Sequence, residues 1–175
     1  MLTKLNPGEA FPELKINLFD ESSIELGHSN STSLWTAVFI YRGKHCPLCT
    51  KYLNELESYK DKFSSLNINI IAISADSKTK LESHLKNLTI TYPIGYGLTL
   101  EQMESLGLYI STPRSSEETD HYFSEPALFV INEHGNVQVV DMSNNPFSRP
   151  DILTLYNGLE FIRNNNYPIR GTLKY

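Results

Sequence analysis

The hydrophobic pattern contains three short apolar runs that are rich in β-branched and aromatic side chains. They cover residues 37–41, 67–74 and 127–131. Near-continuous apolar runs of this length are typical of strands buried on both faces, so we expect all three in the middle of a sheet. Residues 14–19 instead alternate between apolar and polar side chains, which predicts a half-buried strand, and residues 24–26 form its short return strand.

Between these strands, apolar residues recur at the three- and four-residue spacing of amphipathic helices. Residues 137–141 follow a hairpin turn and return antiparallel to the preceding strand. The resulting order, β-β-β-α-β-α-(β)-α-β-β-α, predicts an α/β fold with a central mixed β-sheet flanked by helices on both faces. The helices are expected at residues 50–64, 77–88, 99–107 and 150–163, and a loop at residues 111–124.

Length and composition narrow the classes of protein to which the chain can belong. We expect residues 1–175 to form one domain, with an irregular lead-in over residues 1–13 and a C-terminal tail over residues 167–175. The tail either docks on a partner subunit in a homodimer or is frayed. A formal net charge of −5 argues against a nucleic-acid partner. No apolar run is long enough for a membrane span, and the N-terminus lacks a signal-peptide pattern, so we expect a cytoplasmic protein.

The two cysteines are both found in the stretch between the first central strand and the first helix, Arg42-Gly-Lys-His-Cys-Pro-Leu-Cys49. Two cysteines are too few for a disulfide scaffold, and a close pair in a cytosolic protein points to catalysis or metal binding. Cys46 is expected at the helix N-terminus, where free backbone N–H groups and the helix dipole stabilise a thiolate. Positive charge or hydrogen-bond donors come from the neighbouring Arg42, Lys44 and His45. We therefore expect the pKa of Cys46 to lie well below that of a free thiol.

Cys49 follows one helical turn later and is expected to face the core, with a higher pKa than Cys46. This asymmetry suits a reactive thiol at Cys46 and a resolving thiol at Cys49 that closes the disulfide. Pro126 precedes a core strand. With a cis peptide bond it would face the dithiol and complete the site, and with a trans bond it would be only a proline at the start of a strand.

Other interpretations of these residues remain open. The cysteine pair could be half of a zinc site completed by histidines or by a second copy of the chain, or it could be inert. His45 is either a modulator of the Cys46 pKa or an exposed loop residue, and Arg42 is either an active-site cation or part of a structural ion pair. Solvated surface charge is the favoured interpretation of Arg114 and Arg149, and core packing that of Trp35 and Tyr41.

Several stretches of the chain resemble the thioredoxin-like superfamily, and within it the peroxiredoxin-like branch of AhpC/TSA (alkyl hydroperoxide reductase/thiol-specific antioxidant, or redoxin) proteins. The similarity covers residues 5–165 and is strongest to a subgroup with a Tyr-Arg-Gly-x-x-Cys-Pro-x-Cys signature. The stretches are Gly8-x-x-Phe-Pro12, Val38-Phe-Ile-Tyr-Arg-Gly43, His45-Cys-Pro-Leu-Cys49, Ile71-Ala-Ile-Ser74, Pro126-Ala-Leu-Phe-Val-Ile131 and His134-Gly135.

The resemblance implies a thioredoxin-like fold and a thiol-dependent oxidoreductase or antioxidant, in which Cys46 attacks a peroxide or disulfide. It also implies that Pro126 occupies the cis-proline position of thioredoxin-type proteins. No cofactor is expected, and electrons would come from an external thiol reductant such as thioredoxin or glutathione. The chain has Gly43 and Phe39 where peroxiredoxins usually carry threonine and proline, and Cys49 where many carry glutamate. A disulfide reductase without peroxidase activity and a non-catalytic redox-sensing module are therefore alternatives.

Overall fold

The computed structural model describes residues 4–174 and contains nine strands and five helices in that part of the chain. The elements are β1 Leu14–Leu18, β2 Ser23–Leu26, β3 Trp35–Ile40, α1 Pro47–Glu57, α2 Lys60–Ser65, β4 Ile68–Ile73, α3 Lys78–Leu85, β5 Ile94–Tyr96, α4 Leu100–Ser105, β6 Ile110–Ser111, β7 Phe123–Ser124, β8 Ala127–Ile131, β9 Val137–Met142 and α5 Ile152–Asn164.

Seven of the strands form one mixed sheet in the order β2-β1-β5-β4-β3-β8-β9. The three predicted central strands are β3, β4 and β8, which are adjacent in the sheet and largely buried. β3 pairs with β4 in parallel and with β8 antiparallel. β1 alternates buried and exposed residues, as the sequence predicts for a strand with one solvated face. Because β3 lies between two buried strands, the residues that follow its carboxyl end have a rigid support.

The sheet separates two hydrophobic cores. On one face, α1, α2, α3 and α5 contribute buried side chains, among them Leu53, Phe63, Leu81 and Leu159. On the other face, Met103 of α4 and a group of aromatic and aliphatic side chains fill the second core. Helices therefore cover both faces of the mixed sheet, and both cysteines belong to the core under α1.

The structure corrects two details of the predicted elements and agrees with a third. The helix predicted at residues 50–64 is two helices, α1 and α2, because the backbone of Ser58 caps the first one. The helix begins at Pro47, as the proline within the cysteine pair predicts, so Cys46 is its N-cap and Cys49 lies in its first turn. The predicted loop at residues 111–124 carries the short strand β7 at its end, which pairs with β6 outside the main sheet.

The predictions for the lead-in and the tail fall in part on residues 1–3 and Tyr175, which lie outside the described residues. In the described part, the lead-in is joined to the hairpin that follows β8, because the Gly8 N–H donates to the Val137 carbonyl at 2.8 Å. The Tyr167 ring of the tail contacts the Phe161 ring, with the centroids 5.7 Å apart. Over residues 4–174, none of the helices has the length and apolar character that a membrane crossing requires.

Candidate active site

Cys46 caps the N-terminus of α1 with its sulfur atom. The backbone N–H of Cys49 donates to Cys46 Sγ at 3.2 Å, and Pro47 occupies the first helical positions, where its missing N–H costs no hydrogen bond. Cys46 itself adopts an extended backbone conformation, as capping residues usually do. The turn between the strand end and the helix therefore holds this sulfur in the field of the helix dipole, as the sequence predicts.

The pKa of Cys46 is lowered from 9.0 to about 6. The main cause is a hydrogen bond from the Cys49 thiol to the Cys46 thiolate; burial acts in the opposite direction. The backbone N–H of Cys49 and the charges of Arg149 and Arg42 lower the pKa further. Cys46 therefore carries a thiolate near neutral pH, which is the nucleophilic form of the residue.

Cys49 has the opposite environment. Its side chain is fully buried, and its pKa is strongly raised, first by the hydrogen bond that it makes to Cys46 and then by burial and by the Cys46 charge. The predicted asymmetry between the two thiols is confirmed by these shifts. The two cysteines do not form a disulfide, and the same interaction that lowers the pKa of Cys46 raises the pKa of Cys49.

Arg149 contacts the dithiol, and its interpretation as surface charge is wrong. Its Nη2 donates to Cys49 Sγ at 3.4 Å and to the Pro146 carbonyl at 2.9 Å, while its guanidinium lies 4.9 Å from the centre of the Tyr52 ring. The loop that follows β9 brings Arg149 across 100 residues of sequence to this point. Arg114, in contrast, has a side chain that is 86% exposed, in agreement with its prediction.

Gly43 and Asp76 hold the loop in front of Cys46. The Asp76 carboxylate accepts the Lys44 N–H at 2.7 Å, and its side chain is buried, which raises its pKa. Gly43 has a φ of +133°, and a Cβ atom at this position would lie 2.7 Å from Asp76 Oδ1. Only glycine combines this backbone conformation with so close an approach of the carboxylate.

Arg42 lies in a nearly buried cluster rather than in open contact with the thiols. Its Nε is 3.2 Å from Glu125 Oε2, its Nη2 is 3.5 Å from Glu118 Oε1, and its guanidinium covers the Phe123 ring at 4.8 Å. These contacts favour the structural ion pair of the two interpretations. The arginine still acts on the site at a distance, because its charge lowers the Cys46 pKa.

Pro126 and His45, the remaining candidates near the dithiol, line different cavities. No peptide bond among residues 4–174 is cis, so Glu125–Pro126 is trans and the cis proline that the resemblance implies is not observed. Pro126 and Arg149 both line a narrow, mainly apolar cavity of about 20 Å³. His45 is half-buried, and its pKa is lowered to about 4 by burial and by the Arg42 charge. It is therefore neutral, and its ring packs in a T-shaped contact against the Phe123 ring, with the centroids 4.5 Å apart, instead of extending into solvent.

Sequence reasoning missed His84, which is completely buried behind the first turn of α1. Its Nε2 is 2.8 Å from Thr50 Oγ1, and its pKa is lowered to about 4, mainly by burial. His84 is a single histidine among the polar residues of a short helix, so nothing in the sequence indicated that it is buried against α1. Trp35 and Tyr41 are buried, as predicted. Within the described residues, no group of three or more His, Cys, Asp or Glu side chains is arranged to hold a metal ion.

Comparison with known proteins decides the family. The model of the AhpC/TSA family matches residues 7–140. The chain belongs to the AhpC/TSA family. This AhpC/TSA protein is 27% identical over 97 residues to a 1-Cys peroxiredoxin of Medicago truncatula, an alignment that covers 51% of the chain and 44% of that relative. The chain thus matches less than half the length of this curated relative.

Solved structures confirm the fold of this AhpC/TSA protein. A peroxiredoxin-like protein from Aquifex aeolicus superposes with a TM-score of 0.74 at 14% identity, over 90% of this chain and 88% of that one. Mycobacterium tuberculosis AhpC superposes with a TM-score of 0.75 at 13% identity, over 95% and 97% of the two chains. The predicted thioredoxin-like α/β fold, with a mixed sheet between helices, is therefore confirmed.

Proposed function

We propose that this protein is a thiol-dependent peroxidase in which Cys46 attacks a peroxide and Cys49 resolves the product as an intramolecular disulfide. The observation that carries the proposal is the Cys46 sulfur at the helix N-terminus, which accepts the Cys49 backbone N–H at 3.2 Å and has a pKa lowered to about 6. Membership of the AhpC/TSA family supports the same chemistry.

In the first step, the Cys46 thiolate attacks one oxygen of the peroxide and the O–O bond breaks. The alcohol or water leaves after taking up a proton, and Cys46 becomes a sulfenic acid. In the second step, the Cys49 sulfur attacks Cys46 Sγ, hydroxide leaves as water with the Cys49 proton, and the disulfide forms. Arg149 contacts Cys49 and supplies positive charge to the sulfur that attacks.

The order of the two steps follows from the causes of the Cys49 pKa. Two of the three effects that raise it, the hydrogen bond to Cys46 and the Cys46 charge, exist only while Cys46 is a thiolate. Oxidation of Cys46 to a neutral sulfenic acid removes both, while Arg149 continues to lower the pKa. Cys49 therefore becomes a better nucleophile only after Cys46 has reacted.

A disulfide reductase without peroxidase activity is the second candidate. It is favoured by Gly43, which has no hydroxyl to donate to a peroxide, and by the engagement of Arg42 with two carboxylates. In that function, Cys46 would attack a substrate disulfide and expel one substrate thiol. Cys49 would then attack Cys46 Sγ of the mixed disulfide, which forms the Cys46–Cys49 disulfide and releases the second substrate thiol. An external thiol, such as thioredoxin or glutathione, would return the dithiol to its reduced form in either case. A cytoplasmic location and a homodimer remain predictions.

Stopped-flow mixing of the reduced protein with hydrogen peroxide tests the proposal. We expect loss of the Cys46 thiol much faster than for free cysteine, a trapped sulfenic acid in Cys49→Ser, and no reaction in Cys46→Ser. A rate equal to that of free cysteine would reject the peroxidase. Reduction of insulin disulfides by the same three proteins then tests the reductase function. That function is rejected for the dithiol if both variants keep the wild-type rate.

A further inference from the structure

The loop at residues 144–150, between β9 and α5, brings Arg149 to the dithiol. Most hydrogen bonds of this loop are local: Asn145 bonds Ser143, and the Phe147 N–H donates to the Asn145 side chain. Among the described residues, only two hydrogen bonds connect the loop to a part of the chain that is distant in sequence. Both of them involve α1, so this helix determines where the loop lies.

One of the two connecting hydrogen bonds comes from Tyr52. Its hydroxyl donates to the Pro150 carbonyl at 2.7 Å, and the centre of its ring lies 4.9 Å from the Arg149 guanidinium. Tyr52 follows Cys49 by three residues, so the two side chains lie on the same face of α1. The side chain that fixes the end of the loop is therefore also the one on which the guanidinium packs, one helical turn from the sulfur.

Arg149 has few other contacts that could hold it in place. Over residues 4–174 it forms no salt bridge with a carboxylate, and its second hydrogen bond, to the Pro146 carbonyl, lies within its own loop. Carboxylates often fix a guanidinium through two parallel hydrogen bonds. Because Arg149 lacks such a partner, its distance from Cys49 Sγ depends on the Tyr52 ring and on the loop end that Tyr52 holds.

The position of Arg149 matters most after Cys46 has reacted. The Cys46 charge is then gone, and Arg149 is the charge that still lowers the pKa of Cys49. Burial raises the pKa of Tyr52, so its hydroxyl stays protonated and remains a donor at and above neutral pH. The other charges that act on Tyr52 are the carboxylates of Glu55, Asp141 and Asp151.

We propose that Tyr52 is a positioning residue for closure of the disulfide, and that its hydroxyl and ring hold Arg149 against Cys49 after Cys46 has reacted. The inference rests on the proposed role of Cys49 as the resolving thiol. In this step the Cys49 thiolate attacks Cys46 Sγ, and the group bound to Cys46 Sγ leaves with the electron pair of the broken bond. The Cys49 proton passes to the solvent or to the leaving group. Loss of the Tyr52 hydroxyl should make that proton harder to remove, so closure should require a higher pH.

The test forms the disulfide of the full chain without a peroxide. At acid pH, where Cys49 is protonated, the Cys46 sulfur attacks dithiodipyridine, one thiopyridone leaves, and Cys46 keeps the other half of the reagent in a mixed disulfide. A rapid rise in pH then lets Cys49 displace the second thiopyridone, whose absorbance gives the rate of closure at each pH. We expect Tyr52→Phe to move this pH profile upward by about 0.5 pH unit, which slows closure about threefold on its rising part and leaves the plateau rate unchanged.

Tyr92→Phe is the matched control, because the Tyr92 hydroxyl also donates to a backbone carbonyl at 2.7 Å, that of Leu53 in α1, while the ring on which Arg149 packs is that of Tyr52. This variant should keep the wild-type profile. In Arg149→Gln, the addition of Tyr52→Phe should cause no further shift, because the group that Tyr52 positions is gone.

Three results would overturn this inference and leave the proposed function intact. They are equal profiles in Tyr52→Phe and Tyr92→Phe, a full shift by Tyr52→Phe in the Arg149→Gln background, and a closure rate that does not depend on pH. If the wild-type protein released no second thiopyridone, the role of Cys49 as the resolving thiol would be overturned as well.

Discussion

The hydrogen bond between the two thiols can be removed without removing the helix N-terminus. Both Cys49→Ala and Cys49→Ser delete the sulfur proposed to resolve the disulfide, but only serine keeps a side-chain donor for the Cys46 thiolate. Because this donor is the largest cause of the lowered Cys46 pKa, the two variants should differ in the pKa of Cys46. We expect the Cys46 pKa to stay near about 6 in Cys49→Ser and to rise in Cys49→Ala.

The size of the difference follows from the strength of a hydrogen bond to a charged group. Such bonds contribute about 1.5–3 kcal/mol, and 1.36 kcal/mol corresponds to one pH unit. The pKa in Cys49→Ala should therefore exceed that in Cys49→Ser by about one to two pH units. It should remain below that of a free thiol, because the Cys49 backbone N–H still lies 3.2 Å from Cys46 Sγ and Arg149 still adds positive charge.

Thiolate absorbance in the ultraviolet, followed across a pH titration, gives the pKa directly, since each variant has one cysteine left. The pH dependence of the iodoacetamide reaction provides an independent value. Equal pKa values in the two variants would refute the reasoning, because the thiol donor would then have no role. A Cys46 pKa near that of free cysteine in both variants would show that the helix N-terminus does not lower the pKa either.

Three further predictions concern the charge, the loop and the pH dependence of the site. Arg149→Gln should slow closure of the disulfide after peroxide treatment, while the exposed Arg114→Gln should not; quenched-flow trapping of the sulfenic acid measures both. Gly43→Ala should lower the free energy of unfolding in urea by about 1–3 kcal/mol more than Gly97→Ala, because both have positive φ but only Gly43 meets a carboxylate. The native pKa of Cys46 lies below its unfolded value, so the reduced protein should become less stable as pH falls from about 9 to about 6, by at most about 1.4 kcal/mol per pH unit. Urea unfolding of Cys46→Ala should lack this component.

Local sequence signals were sufficient to predict the strands and the helix start that position the site. The buried runs identified β3, β4 and β8, and the proline within the cysteine pair indicated a helix start. The helix periodicity then assigned Cys49 to the core face. These features depend on neighbours within about one helical turn, so a single sequence contains the information that determines them.

The missed contacts depend on chain segments that are distant in sequence. Arg149 reaches Cys49 across 100 residues, and Asp76 reaches Lys44 across 32. Neither residue differs in its local pattern from an ordinary loop or turn residue. The loop geometry that decides such contacts comes from how β4, β8 and β9 align in the sheet, which periodicity alone does not specify.

The substitution of glycine for threonine ahead of the reactive cysteine has a physical reason in this chain. The space that a side chain at position 43 would occupy is filled by the Asp76 carboxylate, which accepts the next backbone N–H. The loop is thus held by an acid from the neighbouring strand end, and the thiolate receives its hydrogen bonds from Cys49. In the proposed function that donor is also the resolving thiol, so one contact links activation of Cys46 to readiness of Cys49, and reaction of the first thiol would release the second.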